Sequence, residues 1–240
     1  MIGGDYVVKE KNYEFREVLK GFGVLFLYLI ASSFVDVIFS LFGIDIYNLN
    51  IIAKQICLIV YELALTLIIV YIYRKDFIPN LKKFIKNFKE YFNKYFKYWV
   101  LMMGLMILSN MIVTMFTTTE VAQNQQSIID TLKQAPFYTL IITIITAPIL
   151  EELVFRMSFR KMFKHTNILF IFFSGLFFGL MHVLGSCTNL VDLLFIIPYS
   201  IPGFIFAYTL VKSDNICVPI SLHMFHNTIM MILQILLLLV

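Results

Sequence analysis

The chain has 240 residues and a formal net charge of +4; 60% of the residues are hydrophobic and only 14% are charged. Ordinary soluble domains run at roughly 45–50% apolar and about 25% charged. With 25 Phe and a mean hydropathy of +0.85, this chain has too little polar surface to cover a water-soluble globule. Disordered, collagen-like, coiled-coil and disulfide-scaffold classes are excluded by the same numbers, and the small net charge gives no support to a nucleic-acid partner. What remains is an all-α, polytopic membrane protein.

A helix needs about 20 apolar residues to cross a hydrocarbon core roughly 30 Å thick. The first such run, Gly21–Phe42, follows a mixed-charge stretch. It is too long for a signal-peptide core and lacks a clear small-residue cleavage site, so it reads as a retained anchor. Ile51–Tyr73 is the second candidate span. The segment Phe77–Lys97 sets lysines at 82, 83, 86, 89, 94 and 97 among aromatic residues at helical spacing. That is the pattern of a helix lying in the membrane interface. Tyr98–Phe116, Pro136–Phe155 (its helix running on to about Phe163), Ile168–Leu184, Leu190–Val211 and Ile216–Val240 complete seven spans, or eight. Cys57, Cys187 and Cys217 form no CxxC pair and read as small hydrophobes. With no repeat and no linker, residues 1–240 form one helical domain: N-terminal spans over 21–116, then a motif-bearing core over 136–240.

Sidedness follows from the basic residues. Seventeen fall on one side of this map, from Lys9, Lys11, Arg16 and Lys20 through Arg74–Lys97 and Arg156–Lys164 to Lys212; only Lys54 and Lys133 fall on the other. The positive-inside tendency then predicts a cell-membrane protein with a cytoplasmic N-terminus, and TTTEVAQNQQSIID outside.

Ionisable groups within spans are costly and usually functional or paired. Asp36 and Glu62 are single acids expected to pair between helices. Glu151, Glu152, Arg156, His182, His223 and Asn227 differ because they converge. Glu151 lies about 14 residues before the basic turn at Lys164–Asn167 and His182 about 16 after it, so at ~1.5 Å per residue they stand level on antiparallel neighbours. His223 and Asn227 are four apart and share a helix face. Adjacent carboxylates point about 100° apart, so one is expected to be chemical and the other structural. Arg156, one turn from Glu152, either pairs with it or snorkels to the surface. Glu151 held by His182 through a water, with His223 and Asn227 donating to an oxyanion, supplies the parts for water attack on an amide. Pro148 and Pro219 are expected to open their helices and admit water. His165 and His226 are read as hydrogen-bonded packing residues.

At these positions the sequence resembles the CAAX protease and bacteriocin-processing family, also called Abi, of intramembrane proteases. Its three motifs stand here as E151-E-L-V-F-R156, F178-G-L-M-H182 and H223-M-F-H-N227, in order and on separate spans. The resemblance covers roughly the last 110 residues. It implies peptide-bond hydrolysis by glutamate-activated water: Glu151 and His182 activate water, His223 and Asn227 stabilise the oxyanion, and Glu152 and Arg156 organise the site. It also implies a peptide or membrane-protein substrate and a signalling or bacteriocin-system partner. No cofactor is expected. Zinc on Glu151, His182 and His223 is the rival mechanism, although no HExxH helix is present. The alternative function is a non-catalytic immunity or regulatory scaffold that binds a peptide or a sensor kinase.

Overall fold

The computed structural model describes residues 2–117 and 122–239, with side chains described from residue 14 onward. Every regular element among them is helical: α1 (Ile2–Ser33), α2 (Val35–Leu41), α3 (Ile51–Ile72), α4 (Arg74–Lys86), α5 (Phe88–Thr114), α6 (Gln123–Gln134), α7 (Pro136–Met162), α8 (Asn167–Leu184), α9 (Ile196–Ser213, entered through a 3-10 turn at Leu190–Phe195) and α10 (Cys217–Leu238). Six are long and apolar enough to cross a membrane, and the pair α1–α2 makes a seventh if its bend is taken as one span. The chain is thus a polytopic helical membrane protein.

Two elements differ from the sequence expectation. The first span is not straight: Phe34 leaves helical geometry (φ −123°, ψ 35°) and α2 turns 79° away from α1. In an unbroken helix the Ala31 carbonyl would be bonded by residue 35. Here the Tyr61 hydroxyl of α3 donates to it at 2.8 Å, which satisfies the group inside the membrane layer. The basic segment, expected as one helix over Phe77–Lys97, is divided at Asn87 between α4 and α5. The Asn87 side-chain amide donates to the Lys83 carbonyl at 2.9 Å, a local bond that competes with helix continuation.

Asn80 of α4 locks onto the start of α10. Its side-chain oxygen accepts from the Ile216 N–H at 2.9 Å, and its carbonyl accepts from the Asn215 amide at 3.0 Å. Pro219 lies in the first turn of α10, where a missing N–H costs nothing, so it does not open that helix as expected. A close backbone contact joins α8 to α9 at two glycines: a Cβ on Gly203 would fall 2.6 Å from the Gly175 carbonyl oxygen. Small residues permit this approach, as at many membrane helix interfaces.

Chain direction gives the bundle two unlike ends. The lysine-rich α4, the end of α7, the start of α8 and Lys212 lie at one; Lys161 there bonds Glu17 at 2.7 Å and Asp76 at 3.2 Å, fastening α1 and α4 to α7. The opposite end holds α6, the ends of α5 and α8, and the starts of α7 and α9.

Candidate active site

Helix α7 is irregular where the chemistry-bearing residues sit. It passes through π turns at Ile142–Thr146 and Glu152–Met157, on either side of Glu151. The Ala147 N–H bonds the Ile142 carbonyl five residues back. In that register the next donor to the Thr143 carbonyl would be residue 148, a proline with no N–H. The Asn227 amide of α10 takes that place, donating to the Thr143 oxygen at 2.8 Å. Pro148 therefore does distort its helix, and Asn227 supplies the missing donor.

The second π turn carries the ion pair. Arg156 donates from Nε to Glu152 Oε2 at 2.8 Å and from Nη2 to Oε1 at 3.1 Å, and both side chains are fully buried. Its remaining nitrogen, Nη1, donates to the Ser174 hydroxyl at 2.8 Å and to the Ser174 carbonyl at 3.1 Å. The guanidinium also lies 4.8 Å from the Phe178 ring centre. Arg156 thus pairs rather than snorkels.

Glu152 has a second partner, His223, whose Nδ1 stands 3.2 Å from Oε1. A carboxylate held by arginine can only accept, so Nδ1 carries the proton and Nε2 faces away from Glu152. His182 is fixed in the same sense: Nδ1 donates to the Phe178 carbonyl at 2.8 Å, and the ring is sandwiched by Phe178 and Tyr199 at centroid distances of 4.3 and 5.3 Å. Phe206 stacks on His223 at 5.0 Å. Both imidazoles therefore present Nε2 to one point. That point is Glu151: its Oε2 lies 3.9 Å from each Nε2 and has no hydrogen-bond partner among the described residues.

Glu151, His182, His223 and Asn227 line a cavity of about 520 Å³ between α5, α6, α7, α8, α9 and α10. Glu152 and Arg156 do not line it; they stand behind Glu151 and His223. The serine that completes the arginine cage, Ser174, was missed by sequence reasoning, as were Thr143 and Phe206. Ser174 had a readable signal, because it precedes Phe178 by four residues and His182 by eight and so shares their helix face. His226, read as a hydrogen-bonded packing residue, makes no hydrogen bond among the described residues and lines the same cavity.

Zinc would require closer donors. Tetrahedral ligands at about 2.0–2.2 Å stand about 3.4 Å apart. The 3.9 Å spacings here are wider, and no group of three or more His, Cys, Asp or Glu among the described residues is placed to hold a metal ion. The cluster as it stands does not fit zinc.

Comparison with known proteins adds two findings. Residues 133–229 match the family described as type II CAAX prenyl endopeptidase Rce1-like. The chain is also 33% identical over 115 residues to "Putative membrane peptidase YdiL" of Bacillus subtilis (strain 168). That match covers 47% of this chain and 43% of the relative, so the chain spans less than half of the relative's length. No solved structure matches.

Proposed function

We propose that this chain, whose residues 133–229 match the Rce1-like family of CAAX prenyl endopeptidases, is an intramembrane endopeptidase in which Glu151 activates water. The observation that carries this reading is the placement of Glu151 Oε2, unbonded and 3.9 Å from two imidazole Nε2 atoms. That spacing is too long for direct hydrogen bonds and suits one water bridging the three groups.

In this mechanism the water oxygen attacks the scissile carbonyl carbon while Glu151 takes one of its protons. His182, its tautomer fixed by the Phe178 carbonyl, orients the water through Nε2. Charge developing on the carbonyl oxygen is met by His223 Nε2, when that ring carries both protons, and by the Asn227 proton not used on Thr143. Collapse of the tetrahedral intermediate breaks the C–N bond, and the proton on Glu151 passes to the leaving amine. A carboxyl product and an amine product result, with Glu151 returned to its starting state. Glu152 and Arg156 act on this centre only through His223. The substrate is a peptide or a membrane-associated protein segment, and the enzyme is oriented with its N-terminus in the cytoplasm.

Glu151→Gln preserves size and removes the base. In detergent, the purified variant is expected to lose turnover by at least about 10³-fold with an unchanged melting temperature. Near-normal cleavage by Glu151→Gln overturns the reading. Activity abolished by a strong chelator and restored by zinc replaces water activation by Glu151 with a metal mechanism.

A further inference from the structure

We propose that His226 is a substrate-binding residue that hydrogen-bonds the main chain of an uncharged, apolar peptide segment lying in the cavity beside Glu151. The proposal rests on the peptidase reading above.

His226 is only 8% exposed, its Nδ1 has no partner among the described residues, and no hydrogen bond to either ring nitrogen is found there. A buried polar group left without a partner is costly, and each such case in a folded protein asks for a reason. Packing supplies none, since a leucine or methionine would fill the space without the penalty. The ring lines the same cavity as Glu151, and Nε2, rather than the closed-off Nδ1, is the atom that a group entering that cavity can meet.

Position along α10 says what that group is. His226 is three residues past His223, about 4.5 Å farther along the helix axis. An extended chain advances roughly 3.3–3.5 Å per residue, so a peptide with its scissile carbonyl at His223 presents its next backbone amide near His226. Imidazole can donate to a carbonyl or accept from an N–H, and a peptide backbone offers both. Beyond His226 the walls include Met103, Met106, Met111, Met230 and Met231 together with the neutral amides Asn110, Asn124 and Gln125, and among the described residues no acidic, lysine or arginine side chain other than Glu151 lines the cavity. Flexible thioethers conform to varied apolar side chains, while a charged one would be left unpaired.

The test uses the full chain in detergent carrying Glu151→Gln, and a fluorophore-labelled peptide of alternating leucine and alanine, with binding read by anisotropy. His226→Leu is expected to weaken binding about tenfold and to leave the melting temperature unchanged or higher, because it removes an unpaired polar group. His226→Gln, which keeps a donor and an acceptor, should recover most of the affinity. The proposal is overturned by unchanged binding in His226→Leu, by a fall of several degrees in its melting temperature, or by failure of the peptide to bind the parent protein. Normal binding together with cleavage by Glu151→Gln would instead sink the catalytic reading and leave this one standing.

Discussion

Arg156 and Glu152 are joined by two parallel hydrogen bonds, and neither side chain has exposed surface. A pair this deep is costly to break from one side, because the surviving charge is stranded. With all three guanidinium nitrogens engaged on Glu152 and Ser174, the arginine cannot swing to another acceptor. Glu152→Gln is therefore expected to destabilise the protein by about 3–5 kcal/mol, seen as a clear fall in melting temperature in detergent. Turnover per folded molecule should fall less than in Glu151→Gln. A Glu152→Gln protein of normal stability and no activity would mean that the two glutamates exchange roles.

Asn227 has two roles, since its amide completes α7 at the gap left by Pro148 and its side chain also lines the cavity. Asn227→Ala should cost about 1–3 kcal/mol of stability through the orphaned Thr143 carbonyl. It should also lower turnover by roughly 10²–10³ through the lost oxyanion donor. The two effects separate in the background of Pro148→Ala, which restores a backbone N–H to α7. There the stability cost of Asn227→Ala should shrink while the loss of turnover persists. If both losses persist in full, the bond to Thr143 is not the source of the stability effect.

The convergence of Glu151, His182 and His223 was legible because it depends on helix rise and antiparallel order, which residue counting supplies. The face shared by His223 and Asn227 was legible for the same reason. What counting could not supply was the partner of each group. Asn227 was read only as a donor to a reacting oxygen, yet one of its protons goes to Thr143, a consequence of the i→i+5 register that a proline imposes on its neighbour. His223 was read as facing substrate, and its second nitrogen proves to be held by Glu152. The bend at Phe34 carried no proline or glycine to announce it; it is stabilised by a tyrosine 27 residues later, Tyr61, a tertiary contact invisible to local pattern. The division at Asn87 had a local signal, an asparagine inside a lysine-rich helical repeat, that the strong aromatic periodicity outweighed.

Charge and topology together predict an orientation for the cavity. Its walls are drawn from Met103–Met111 near the end of α5, from Asn124, Gln125 and Ile128 of α6, from the start of α9 and the end of α8, and from the middle of α7 and α10. The α5, α6, α8 and α9 walls lie at the end of the bundle away from the lysine-rich α4, the Arg160–Lys164 turn and Lys212, and the α7 and α10 walls lie midway between the two ends. Seventeen of the 19 basic residues fall on the lysine-rich side of the map, so the positive-inside tendency predicts a cytoplasmic lysine-rich side and a cavity toward the outer face. In a background with Cys57, Cys187 and Cys217 replaced by alanine, Gln125→Cys is expected to react with a membrane-impermeant maleimide on intact cells. Lys83→Cys in α4 should react only after the membrane is opened. Labelling of position 125 solely after rupture, with position 83 reactive in intact cells, would invert the orientation and place the mouth of the cavity on the cytoplasmic side.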